Sequence, residues 1–314
     1  MPNAKKPFAR LLRIGTTRPD GGCLFGATPK ATWETFAQPD RQNRVAIGNF
    51  SMLIDHSDGW VLVNAGPGDK PPLDYNVMPS RSRSSLLREL RDIGVMPKDI
   101  AVVIYTHMHD EYTGGGTHIT SSGRTIPTFP NARYVAHGAA LNDACSPNER
   151  SRRHYRPDNI DPLIDYDVLE TVDGAAEVCS GVWVEPAVGP TPGHQIVICQ
   201  KGQSTYAFLG ALVPTTMHLW PRVNSAADWN PEATARTKNE VRRQAVAERW
   251  LVAPVGRDEW TRASELEALA AFSIGKTKVA AETRRKTAAP ATAPAGKAKA
   301  PAGVETPEPV AIPA

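Results

Sequence analysis

The run Ile100-Ala101-Val102-Val103-Ile104-Tyr105 constrains this chain more than any other segment, because it is almost wholly apolar and ends on Thr106-His107-Met108-His109. Six residues are too few for a buried helix but fit a strand covered on both faces. Such a strand needs other structure on either side, which predicts a layered α/β architecture with helices outside the sheets. At the strand's end the two-residue period sends the His107 and His109 imidazoles to the same side. Two neutral rings placed so can share one borderline-soft cation such as zinc. Gly114-Gly115-Gly116 follows and lets the backbone turn tightly away.

An isolated His-x-His pair is weak evidence, since two polar residues on a loop give the same pattern. A third histidine changes its weight. Thr191-Pro192-Gly193-His194 precedes the apolar run Ile196-Val197-Ile198, so His194 sits on a rigid turn at the mouth of another strand. Three imidazoles with one open position are what a catalytic zinc requires.

The remaining pattern alternates strands and helices. Val45 to Ile54 and Trp60 to Val63 read as strands joined by the turn His56-Ser57-Asp58-Gly59, which leaves His56 exposed. Leu86, Leu87, Leu90 and Ile93 give helical spacing over Ser84 to Ile93, with Gly94 as its cap. Further strands are expected at Arg133 to Ala136, Val182 to Glu185, Gln195 to Gln200 and Thr205 to Leu209, and late helices at Asn239 to Trp250 and Ser264 to Phe272. The charge-rich stretch from Ala140 to Pro162 is the expected cap over the pocket.

Beyond Lys276 the chain is dominated by Ala, Pro, Lys and Thr without apolar periodicity, so residues 276–314 are expected to be a disordered tail. This tail holds seven cations and three anions, an excess of four within a total net charge of +3. The remainder therefore stands at −1, which argues against a nucleic-acid groove in the folded part. Four cysteines without CxxC spacing fit reduced thiols rather than a disulfide framework. No apolar run approaches the roughly 20 residues that span a bilayer, and the basic N-terminus lacks a leader's apolar core. The expectation is a cytoplasmic protein with a small-molecule substrate and no membrane partner.

With these segments in hand the chain resembles the metallo-β-lactamase superfamily, in its lactonase-like and organophosphate-hydrolase-like branch. The resemblance rests on ordered matches: Gly26 to Lys30 with Trp33, Val61 to Gly66, the His107 segment, Phe129 to Tyr134, Pro147 to Arg150, Thr191 to His194, and Leu209 to Thr216. It implies a four-layer αββα sandwich over residues 45–275, with 1–44 as an N-terminal extension packed on it and open to use in a homodimer. It also implies His107, His109 and His194 as ligands of a first zinc.

The family pattern HxHxDH departs here in its second half. Glu111 stands in the aspartate position and Tyr112 in that of the last histidine. The metal-bridging aspartate falls on Ala211, the late histidine is missing near Val255-Gly256-Arg257-Asp258, and the early aspartate is Asn64. Alanine offers no ligand atom, and a tyrosine binds only as a phenolate, whose ordinary pKa is near 10. Arg257, if it faces the site, would repel a second cation, so a single-metal site is the expectation.

Two functions follow. In the first, one zinc on three histidines activates water against an ester, lactone or phosphoester. Glu111 orients the water or accepts its proton, and Tyr112 donates to the oxyanion. The blander roles are a hydrogen bond from a histidine to Glu111 and a packing role for Tyr112. Iron ranks below zinc, because three imidazoles without a carboxylate hold it less well. In the second, the coordinated losses mark an inactive relative kept as a binding or assembly module. His218, just after the Ala211 segment, is a further candidate for the pocket wall.

Overall fold

The Ile100–Ile104 strand takes its place among neighbours drawn from both sides of it in sequence. The computed structural model describes residues 8–71, 80–82, 84–253 and 260–265. Its seven-stranded sheet runs from edge to edge as Ser80–Arg81, Ala9–Arg18, Ile47–Ile54, Trp60–Val63, Ile100–Ile104, Arg133–His137 and Leu169–Val172. The last four strands are mutually parallel. Parallel neighbours need crossover connections, and the helix Leu86–Asp92 lies in one of them. The second sheet has six strands, in the order Ala176–Cys179, Val182–Pro186, Gln195–Lys201, Ser204–Phe208, Leu251–Ala253 and Thr261–Arg262. A small hairpin, Thr117–Ile119 with Thr125–Pro127, stands apart.

Three apolar cores show the order of the layers. Leu86 and Leu90 of the first helix pack with Leu53, Leu62 and Val103 on one face of the first sheet. On its other face Val61, Val63, Val102 and Ile104 meet Val182, Val184, Val197 and Phe208 of the second sheet. Ile196, Ile198 and Ala207, on the far face of that sheet, pack with Val241 and Ala245 of the helix Pro231–Ala247. Helix, sheet, sheet and helix stack as an αββα sandwich. Ile100–Ile104 is buried on both faces for this reason, which explains its lack of alternation.

The last of these helices begins eight residues before the expected Asn239. Asn230 caps it by accepting from the Ala233 amide at 2.9 Å, and Pro231 takes the first helical position. Its long polar outer face obscured this start. His56, expected to be exposed, has a side chain only 6% accessible. One ring nitrogen lies 3.1 Å from the Ser180 carbonyl and the other accepts from the Asp58 amide. The turn is pinned to the second sheet's loop, a contact that local sequence cannot reveal.

The stretch before Val45 supplies the strand Ala9–Arg18, which pairs antiparallel with Ile47–Ile54. Leu24, Phe25 and Trp33 then pack with Val45, Met217, Trp220 and Val223. Trp33 is 1% exposed and stacks on Phe25 at 5.1 Å. Trp33→Ala is expected to lower the unfolding free energy by about 3–5 kcal/mol in urea denaturation. A loss under about 1 kcal/mol would mean that this corner contributes little to the fold. The expected tail at 276–314, the segment Val255-Gly256-Arg257-Asp258 and all but the start of the expected helix Ser264 to Phe272 lie outside the described residues.

Candidate metal centre

His107 leaves the first sheet just past the end of Ile104, and His194 enters the second one residue before Gln195. Gln195 ties the two places together. Its backbone amide donates to the Thr106 carbonyl at 2.8 Å, and its side-chain amide donates to the Tyr105 carbonyl at 2.9 Å. The two segments carrying the histidines are thus clasped by a residue that belongs to one of them.

The ring centroids of His107 and His109 are 4.7 Å apart, and those of His107 and His194 are 5.3 Å apart. Each buried ring is oriented by a bond on its Nδ1 side. His194 Nδ1 lies 3.1 Å from the Ala187 carbonyl, so it carries the proton and donates. His107 Nδ1 lies 3.0 Å from Thr106 Oγ1, and that hydroxyl is held in turn by Asn64 Oδ1 at 3.2 Å and Nδ2 at 3.1 Å. Asn64 also accepts from the Thr106 amide at 2.9 Å, and its φ of 59° is one that asparagine tolerates better than most residues. The change from aspartate therefore keeps a hydrogen-bonding strut behind the first histidine.

With Nδ1 occupied, the Nε2 atoms of His107 and His194 remain, and both are buried without a hydrogen-bond partner. Leaving one such atom unmet costs about 1–3 kcal/mol. Here two such atoms stand on neighbouring imidazoles, a chemistry that suits a cation. Burial lowers the pKa of His107 and His109 well below the ordinary value, with help from the neighbouring imidazoles, and brings His194 down to about 3. All three are neutral at pH 7, as ligands must be. Gly210 closes the floor. It has a φ of 54°, and a Cβ there would come within 2.9 Å of His194 Nε2. Only glycine leaves that nitrogen room. Ala211, in the same turn Gly210–Leu212, offers no ligand atom.

Glu111 and Tyr112 lie in the short helix Asp110–Thr113 that starts directly after His109. The Tyr112 ring stands 4.3 Å from that of His107. Burial, and then the charge of Glu111, push its phenol well above the usual range. In the metal-free protein Tyr112 is therefore a neutral hydroxyl, able to donate at neutral pH.

Among the described residues, the set of three ligand side chains whose atoms all lie within 4.8 Å of one another is His109, Glu111 and His154. His154 stacks on His109 at 4.7 Å and 22°. It comes from the 140–162 segment, in the short turn Arg152–His154. Nothing in its local sequence marks it, since it has neither spacing nor a motif.

His218 does not join the cluster. Its ring is fully bonded, with Nδ1 2.8 Å from Thr215 Oγ1 and Nε2 2.9 Å from the Leu24 carbonyl. It lines a separate apolar cavity with Leu209, Leu212, Val213 and Lys238. His137 Nδ1 accepts the Ala139 amide of the helix Gly138–Cys145, and His118 is exposed.

Known proteins bear out this architecture. An N-acyl homoserine lactonase (AiiA) of Bacillus thuringiensis subsp. kurstaki is 23% identical over 163 residues, which cover 48% of this chain and 58% of the lactonase. One from Bacillus cereus is 23% identical over 168 residues, covering 50% and 60%. The chain thus spans somewhat over half the length of these curated relatives. A probable metal-dependent hydrolase from Staphylococcus aureus superposes with a TM-score of 0.71 at 24% identity, over 79% of this chain and 88% of that one. The hydrolase AbOPH, of the beta lactamase superfamily, does so with a TM-score of 0.65 at 16% identity, over 81% and 88%. The family model for the metallo-beta-lactamase superfamily matches residues 45–257, well over half of the chain. This chain belongs to the metallo-beta-lactamase superfamily.

Proposed function

We propose that the protein is a metal-dependent hydrolase of an ester, lactone or phosphoester, with a zinc ion held by His107, His109 and His194. The observation that carries this reading is the pair of buried, unpartnered Nε2 atoms on His107 and His194. Lactonases among the relatives favour an acyl centre as the target. A zinc ion on three imidazoles supplies Lewis acidity and brings the pKa of a bound water to about 7.

The chain's own residues do the rest. The Ala187 carbonyl holds His194 in the tautomer that presents Nε2, and Thr106 Oγ1 orients the His107 ring through its Nδ1. Glu111, one residue from Tyr112 and close to His109, accepts the proton of the attacking water. Tyr112, kept neutral, donates to the oxyanion that develops on the substrate. Ala211 leaves the floor without a bridging carboxylate, so turnover slower than that of fully liganded relatives is expected.

The test is hydrolysis by chelator-stripped and zinc-loaded protein across acyl lactones, aryl esters and phosphodiesters. Zinc-dependent turnover of at least one class is the expected result. Protein that stays folded, takes up no metal and hydrolyses nothing would establish the alternative, an inert member of the family used for binding or assembly.

A further inference from the structure

We infer that His154, delivered by the segment over the site, forms with Glu111 and His109 a second divalent-cation site beside the three-histidine one. It rests on the reading above for the identity of the neighbouring ion, and with the outer ion bound Glu111 is that ion's ligand instead of the base. Two imidazoles and one carboxylate are a donor set that binds zinc in hydrolases and ferrous iron in oxygenases. Their ligand atoms already lie within 4.8 Å of one another. The Glu111 carboxylate brings negative charge to the dication, and the two imidazoles complete the set.

His154 is not a loose side chain that happens to fall there. Arg150, four residues earlier, donates to the carbonyls of Ala226 and Asp228. Tyr155 donates its hydroxyl to Asp143 and sets its ring 5.2 Å from that of His109. Asn159 donates to Asp110 Oδ1 at 2.8 Å, which ties the segment to the helix that carries Glu111. These anchors fix the turn on both sides of His154. The imidazole that Tyr112 cannot supply from the helix is thus supplied from more than forty residues away.

His109 belongs to both sets. Neither of its ring nitrogens has a hydrogen bond among the described residues, and a ring presents its two nitrogens on different edges. It can therefore serve one ion with each, releasing its remaining proton to solvent as the second ion binds. Among the described residues a contact of His154 opposes the outer ion. Arg153 Nε donates to His154 Nε2 at 3.3 Å, and its charge stands beside the site. This arginine is exposed, so it can withdraw. Its removal should help the cation.

The experiment is zinc titration of the chelator-stripped full chain by calorimetry, with metal content measured after gel filtration. Wild type is expected to hold about two ions per chain, and His154→Ala and Glu111→Gln about one. Circular dichroism confirms that each variant is folded. Arg153→Ala is expected to tighten the weaker of the two binding events at least threefold. One ion in wild type and the same one in His154→Ala overturns the outer site and leaves the three-histidine reading intact. No ion in any of these proteins overturns both.

Discussion

His194→Ala is expected to weaken zinc binding more than 100-fold and to abolish hydrolysis with it, while the chain stays folded. The size follows from what the side chain does. Altering a residue that merely supports a ligand typically costs 10–100-fold in affinity, and His194 would be a ligand. Its Nε2 is buried and unpartnered, and Gly210, which lines that wall, has no side chain to take its place. The backbone is expected to survive, because the clasp beside it runs through Gln195 to the carbonyls of Tyr105 and Thr106. Zinc affinity measured with a chromophoric chelator, together with a urea melt in chelator, separates the two effects. Wild-type zinc affinity in His194→Ala would remove this residue from the site.

The metal-free protein is expected to lose most of its stability between pH 6.5 and 5. Burial holds His194 and His218 near pKa 3 and His107 and His109 well below the ordinary value, whereas in the unfolded chain each titrates near 6.5. Below about pH 6.5 the unfolded state therefore binds protons that the folded state refuses. Unfolding is favoured as pH falls, and the loss continues until the folded pKa is reached. Each such histidine contributes a slope of about 1.4 kcal/mol per pH unit, or about 2 kcal/mol by pH 5. For His194 and His218 that comes to about 4 kcal/mol, and His107 and His109 add to the loss in the same direction, a large part of the whole stability of a typical domain. His154, held near 4, adds a smaller share. Urea denaturation in chelator from pH 7.5 to 4.5 reads the slope directly. A flat profile would show that these imidazoles protonate in place. His218 lies apart from the cluster, so His218→Gln should lower the slope by about one proton and no more.

Much of the first sheet was legible because its signal is local. An unbroken apolar run at Ile100 to Tyr105 can be satisfied only by cover on both faces, and the structure puts a helix on one and a second sheet on the other. The spacing of His107 and His109 is equally local, since two residues of extended chain carry both side chains to one side. What misled was also local: His56 looked like the tip of a turn, and the Pro231–Ala247 helix began under a polar face with few apolar marks.

The sequence by itself determined the layered architecture, the strand that ends on His107 and His109, and the turn that carries His194. These are properties of residue type and short-range spacing. Only the tertiary structure decided what stands around them. It showed that Asn64 braces Thr106 and so His107, that Gly210 clears the space at His194 Nε2, and that His154 closes on His109 and Glu111. Those meetings join segments tens of residues apart. No period or motif encodes them, because they arise from how two sheets and a covering segment pack rather than from the conformation of any one stretch of chain.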